Sequence, residues 1–293
     1  MTAKRRAYLA LLTSAILWGL SPPLIKLSLN YVTPVTFLYY RFWIVTLLLI
    51  IPFIIRILKL RPNPKDLLKY LYLGILATPL NLYLLYLGIQ KTSATDASIL
   101  GILSPMLVVL GGVIFLKEKI SRNEKIGLFI TLLGAFITIA QPFFENKTSF
   151  TQNILGNLLV VLGCLTWAAF TLISKRQKNQ HLDPFLLTAS SFLTGYLLFI
   201  PLFSLQPPPL TPDLIAALPG ILYMAIFGSI VAYFAYIYGL SKVEASEASI
   251  FTYLQPLFAI PVAMILLGDV LTLPLILGAL LIGLGVFVSE HKS

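Results

Sequence analysis

"GIQKTSATDASILGILSPML", residues 88–107, returns 151 residues later as "GLSKVEASEASIFTYLQPLF", residues 239–258, with eight of twenty positions identical. Asp96 stands opposite Glu247, and each copy sets a lysine, a short polar run and then a proline deep within an apolar segment. A proline so placed removes one helical hydrogen bond and tends to bend the chain. Its duplication at a fixed offset points to an architecture rather than a local accident, and the rest of the chain is read outward from it.

Of the 293 residues, 58% are hydrophobic and 11% charged, and the mean hydropathy is +0.91. Soluble domains carry about 25% charged residues. Such a chain cannot bury its apolar side chains in one water-soluble core, so an integral membrane protein is expected. The net charge of +10 is spread between apolar runs and forms no basic stripe with interleaved aromatics. That pattern argues against a nucleic-acid partner and suits the basic loops of a membrane protein. The single cysteine, Cys164, lies inside an apolar run, where a small packing residue is expected. "MTAKRR" and the apolar run behind it read as a retained first helix rather than a cleaved signal.

Crossing a hydrocarbon core of ~30 Å takes about 20 apolar residues. Ten segments meet that length: 7–29, 34–56, 69–90, 93–116, 123–141, 153–175, 184–205, 214–240, 243–267 and 271–289. The polar breaks between them, such as "RPNPKD" and "KEKISRNEK", are too short to hold a soluble domain. With the amino terminus in the cytoplasm, 17 of the 21 Lys and Arg residues fall on the inner side. Lys91 and Lys147 stay outside, and Lys26 and Arg41 lie within spans. This bias predicts a multi-pass protein of the cell membrane with both termini cytoplasmic.

The offset of 151 continues beyond the opening stretch, pairing Glu118 with Asp269, Gly127 with Gly278 and Gly134 with Gly285. Near the amino end it slips to 149, pairing Trp18 with Trp167 and Lys26 with Lys175. The chain divides into two halves, 1–143 and 150–293, of five helices each and forming one structural unit. Five is odd, so the second half enters the membrane in the opposite sense. The expected fold is an all-α integral membrane protein with ten transmembrane helices arranged as two inverted five-helix repeats. Inverted repeats recur in secondary transporters, where each half can adopt the conformation of the other and so give alternating access.

The "ILWG…IK" of residues 16–26, the "TFLYYRF" of 36–42, and the blocks "SPMLVVLGGVIFLKEKIS" and "QPLFAIPVAMILLGDVLT" resemble the EamA branch of the drug/metabolite transporter superfamily. The resemblance covers essentially the whole chain. It implies a ten-helix carrier, many such proteins exporting amino acids or related metabolites, with helices 1, 3, 4, 6, 8 and 9 around the path. It also implies an acidic residue closing helices 4 and 9, here Glu118 and Asp269. The counterpart of Arg41 is Ser191, so the arginine is not doubled.

Candidate functional residues follow from depth. Pro105 lies 11 residues beyond Ala94, about 17 Å along a helix and close to the midplane. Pro256 reaches the same depth from the opposite face, so the pair is expected to act as a hinge. Ser93 with Asp96, and Glu244 with Glu247, read as helix caps. Arg41 sits about seven residues, ~10 Å, inside the outer end of its helix. Three roles are open to it: holding a substrate carboxylate, bonding carbonyls of a broken neighbouring helix, or snorkelling to the surface. Lys26 is close enough to the membrane edge to snorkel. Trp18, Asn81, Tyr83, Tyr86, Ser98, Trp167, Tyr233, Tyr236, Tyr253 and Gln255 are expected to line an amphipathic cavity or its approach. Gly127, Gly134, Gly278 and Gly285 read as close helix packing.

All eleven acidic residues lie in loops or near helix ends, so no midplane carboxylate offers itself as a proton relay. The sequence contains no HExxH, no GxSxG and no lysine-bearing phosphate loop. An enzyme, an ATP-driven pump and a bound cofactor or metal are therefore not expected. The leading expectation is a secondary exporter of small metabolites in the lipid bilayer, as a monomer or weak homodimer. The alternatives are a passive channel or an exchanger of nucleotide sugars or organic anions.

Overall fold

Every regular element among the described residues is a helix, as an apolar chain that must satisfy its backbone without water requires. The computed structural model describes residues 3–117, 121–144, 150–176, 183–205, 212–240, 242 and 251–290. Glu118 and the capping acids Glu244 and Glu247 therefore lie outside the described residues. The elements of the first half are α1 (Ala3–Gly19), α2 (Ser21–Ser28), α3 (Pro34–Leu60), α4 (Pro64–Ile75), a π-helical segment Leu76–Leu80, α5 (Asn81–Lys91), α6 (Ala94–Gly101), α7 (Leu103–Leu116) and α8 (Arg122–Phe144). The second half contains α9 (Phe150–Arg176), α10 (Pro184–Ser204), α11 (Pro212–Tyr223), a π-helical segment Met224–Val231, α12 (Ala232–Leu240), α13 (Gln255–Leu267) and α14 (Leu273–Glu290).

Several of these combine into continuous spans. Eight are long and apolar enough to cross a membrane, among them Lys4–Ser28, Pro64–Lys91, Ala94–Phe115 and Pro212–Tyr236. Two shorter apolar helices, Gln255–Leu267 and Leu273–Ser289, complete the described set. The surface is correspondingly inverted relative to a soluble protein: Phe115, Phe129 and Ile265 are 72%, 69% and 81% exposed, while Arg41 is 2% exposed. An apolar surface this extensive belongs in lipid.

Local chemistry sets the boundaries. Thr33, Asn63, Ser93 and Asp183 each cap a helix by accepting the backbone N–H three residues on, and proline follows directly after Thr33, Asn63 and Asp183. Gly268 ends α13 at φ +68°, a left-handed conformation open to glycine at little steric cost. Pro79 lies in the π-helical segment Leu76–Leu80, where the extra residue in the turn accommodates a ring that cannot donate.

The duplicated prolines break their helices in the same way. Ile102 is a turn residue between α6 and α7, three residues before Pro105. Tyr253 and Leu254 form the turn just before Pro256, and Ile102 and Tyr253 are themselves 151 residues apart. Each break lies within the turn whose carbonyl the proline ring would strike.

Helices at matching places in the two halves pack on one another, α8 on α14 and α3 on α10, while α6 packs on α13, the counterpart of α7. The α8–α14 seam is built from the four glycines. A Cβ on Gly127 would come within 2.4 Å of the Gly285 carbonyl, and one on Gly134 within 2.7 Å of the Gly278 carbonyl. Contact thus descends along one helix as it ascends the other, so the two run antiparallel. The pairing is also reciprocal, since Gly127 is equivalent to Gly278 and Gly134 to Gly285. The α5–α9 pair has its match in α1–α12.

Candidate functional site

The second π-helical segment carries the centre of the site. Within it the Ser229 hydroxyl donates to the Met224 carbonyl five residues back at 2.8 Å. The carbonyl of Gly228 accepts the Trp18 indole N–H at 2.9 Å. The neighbouring Ser229 Oγ accepts from Arg41 Nε, also at 2.9 Å. Two adjacent residues of one distorted helix therefore hold Trp18 from α1 and Arg41 from α3. π-helical turns of this kind occur often at functional sites.

Arg41 does not snorkel. Its Nη1 donates to the Tyr86 hydroxyl at 2.7 Å, and the guanidinium lies 5.8 Å from the centre of the Tyr86 ring. Tyr86 is fully buried and meets Phe37 edge-on. The side chain of Arg41 is thus turned into the protein and held by two neutral hydroxyls.

One turn beyond Ser229, Tyr233 gathers an aromatic cluster. Trp18 meets it edge-on at 5.3 Å, Phe192 at 5.8 Å and Trp167 at 6.4 Å. Tyr236 lies against the other side of Trp18 at 5.3 Å. Trp18 and Trp167, paired by the repeat in sequence, therefore touch the same tyrosine. Edge-to-face contacts of this type favour a defined ring arrangement beyond simple burial. Beside the cluster, Phe42 and Phe192 meet at 6.1 Å; each follows directly after Arg41 or its counterpart Ser191.

Ser191 has a partner of its own. Thr78, in the first π-helical segment, donates its hydroxyl to Ser191 Oγ at 2.8 Å, and Ser191 donates to the Thr188 carbonyl. Thr78 and Ser229 are 151 residues apart. The Thr78–Ser191 and Ser229–Arg41 pairs thus occupy equivalent positions in the two halves.

The other expected residues are placed elsewhere. Asn81 lies in the α5–α9 seam, donating to the Gly163 carbonyl at 2.7 Å. Ser98 turns back on its own helix to the Ala94 carbonyl. Tyr83 meets Phe199 edge-on at 5.7 Å. Tyr253 and Gln255 are half-buried at the break before α13, and Pro256 is buried there. Pro105 is half-buried in α7.

Asp269 crosses from α13 to the start of α6, accepting from the Thr95 N–H at 3.0 Å and the Thr95 hydroxyl at 2.8 Å. It caps a helix of the other half. Lys26 also turns inward, donating to the carbonyls of Ile89, Gln90 and Thr92 where α5 ends. Those carbonyls have no intrahelical donor and carry the negative end of the helix dipole, so an ammonium satisfies them better than a membrane edge would.

Among the described residues no three His, Cys, Asp or Glu side chains converge to hold a metal. Two lateral grooves open elsewhere: one of about 150 Å³ beside Phe53, Tyr70 and Leu186, and one of about 400 Å³ between Leu24, Tyr31 and Tyr223. Neither is lined by Arg41, Trp18 or Tyr233. Ser229, Thr78 and Gly228 escaped the sequence reading; a hydroxyl recurring at the 151 offset is the signal that marks two of them.

The apolar spans around a buried polar and aromatic centre define a multi-pass helical membrane protein, and comparison with known proteins gives its family. The model of the EamA-like transporter family matches this chain twice, over residues 5–140 and 154–290. The chain belongs to the EamA-like transporter family. It is 30% identical to an uncharacterized transporter of Archaeoglobus fulgidus, over 98% of this chain and 99% of that protein. It is 26% identical to the uncharacterized transporter YyaM of Bacillus subtilis, over 97% and 93%. The uncharacterized inner membrane transporter YhbE of Escherichia coli is also 26% identical, over 85% of this chain and 77% of that protein. A protein crystal structure shares the fold at TM-score 0.66 and 17% identity, covering 96% of this chain and 95% of the other. These relatives point to a transporter rather than an enzyme.

Proposed function

We propose that this chain is a secondary carrier, driven without ATP, that exports small metabolites such as amino acids or related compounds by alternating access. The observation that carries this reading is the centre of the molecule. Arg41, Trp18, Trp167 and Tyr233 converge there from helices of both halves, and Arg41 is closed to solvent at 2% exposure. A ligand reaches such a centre only if the halves move relative to one another.

The carrier has ten membrane helices as two inverted five-helix repeats, 1–143 and 150–293. Supporting this are the reciprocal glycine contacts of antiparallel α8 and α14, the doubled family match and the twin helix breaks. Reciprocal contact between equivalent surfaces is what a two-fold relation produces. Pro105 and Pro256 serve as its hinges. The charge bias places both termini in the cytoplasm, and the name of the Escherichia coli relative supports a cell-membrane location. It functions as a monomer or weak homodimer and needs no cofactor.

Flux in sided proteoliposomes tests the reading with an amino-acid and nucleotide panel, with and without a pH gradient. Saturation and counterflow are expected. Flux that rises linearly with concentration would make the protein a channel. Pro105→Ala and Pro256→Ala are each expected to slow flux while leaving the protein inserted and folded, and normal transport by both would remove the hinge.

A further inference from the structure

Resting on the carrier reading, we infer that Arg41 binds the carboxylate of the transported compound, and that the site requires no ammonium on the same molecule. The guanidinium carries five N–H donors in a fixed fork and no acceptor. Nε is bonded to Ser229 and one Nη1 hydrogen to Tyr86. The other three donors have no acceptor among the described residues. Nor does any described carboxylate pair with it; the described ion pairs are Arg56 with Asp183 and Lys69 with Asp66.

A buried cation with only neutral partners is held at a substantial desolvation cost. The cost is recovered when an anion arrives. A carboxylate matches the guanidinium fork in plane and spacing, and charged hydrogen bonds of this kind are the strong ones. The Tyr86 hydroxyl is the partner most easily displaced, since Ser229 is fixed by its own bond to the Met224 carbonyl. Trp18, bonded to Gly228 of the same π-helical segment, and Tyr233, one turn beyond Ser229 and edge-on to Trp18, form the wall beside it. The ligand class is therefore a monocarboxylate with an apolar or aromatic body.

The opposite pole argues against a need for an ammonium. At the place equivalent to Arg41 and Ser229 the described residues offer the hydroxyls of Ser191, from the second half, and Thr78, from the first. A zwitterion would find its carboxylate paired and its ammonium facing hydroxyls and ring faces. A 2-oxo acid of the same body loses no ion pair by comparison.

Charge bookkeeping adds a kinetic signature. Among the described residues nothing compensates the Arg41 charge in the empty centre, and a bound monocarboxylate neutralises it. Reorientation of the loaded protein meets the lower barrier, so exchange runs faster than net efflux.

The test pairs acids with their neutral isosteres in purified wild-type protein. Phenylpyruvate, phenylpyruvamide and phenylalanine are compared with short aliphatic analogues, by quenching of tryptophan fluorescence and by counterflow in proteoliposomes. The 2-oxo acid is expected to bind at least as tightly as the amino acid, and the amide about tenfold or more weakly, the difference one charged hydrogen bond makes. Arg41→Gln is expected to remove the preference for acid over amide, and Arg41→Lys to restore part of it. Should Arg41→Gln fail to fold, the acid-against-amide comparison in the wild-type protein still decides. Equal binding of acid and amide, or absence of binding by every acid, overturns the proposal. Saturable flux of an amide, unaffected by Arg41→Gln, would overturn it while leaving the carrier reading intact. Linear flux of all probes removes that reading itself.

Discussion

The Arg41–Ser229 and Ser191–Thr78 pairs occupy matching positions in the two halves and are built on the same plan. In each, a side chain of α3 or α10 meets a hydroxyl from a π-helical segment of the other half, at 2.9 and 2.8 Å. The difference is one charge. Backbone geometry, helix breaks and glycine seams are shared between the halves, but the cation is not. Under the proposed carrier reading, a two-fold scaffold would permit two equivalent end states, and the Arg41 cation would let a ligand recognise one pole.

The strongest way to break this difference is Arg41→Ser, which makes the two poles alike. Carboxylate flux in proteoliposomes is expected to fall about 10- to 100-fold, the range set by charged hydrogen bonds. Gly127→Ala and Gly278→Ala probe the shared part instead. Each forces a methyl into the α8–α14 seam, at about 1–3 kcal/mol of stability. Similar losses for the two, read from denaturation in detergent, are expected if the halves are equivalent there.

Ser229→Ala and Thr78→Ala remove matching hydroxyls next to unlike partners. The first strips the Arg41 Nε of its acceptor and is expected to cost about 1–3 kcal/mol, the second about 0.5–1.5 kcal/mol. Equal values would mean that the charge adds nothing at this position. The smallest effect is expected from Asp269→Ala, which loses both bonds to Thr95 while the Ser93 cap on α6 remains, at about 1 kcal/mol. Its readout is faster hydrogen exchange at Thr95, with the Ser93-bonded Asp96 amide less affected and the global fold kept.

Much of the fold was legible because it is written in local pattern. Thr33, Asn63 and Asp183 sit where polar breaks meet prolines, and each caps the helix that follows. Pro105 and Pro256 foretold the breaks at Ile102 and Tyr253. The aromatic residues of the site were legible as types at a depth, and Trp18, Trp167, Tyr233 and Tyr236 come together. Asn81 was as good a candidate on the same criteria, yet it closes a helix seam. Depth along a helix says nothing about which neighbour a polar side chain meets. Lys26 shows the same limit: its distance from the membrane edge suited snorkelling, but the exposed carbonyls at the end of α5 lie within reach.

By itself the sequence determined that this chain lives in a membrane, that it is doubled, and where its helices start and bend. Those properties depend on composition, spacing and residues a few positions apart. Only the tertiary structure decided that Arg41 faces Ser229 and Tyr86, with no acid beside it among the described residues. It also placed π-helical turns at both Thr78 and Ser229. Pairings across 188 and 113 residues arise from how helices stack. The fate of a buried polar group is settled by whichever donor or acceptor that stacking brings near.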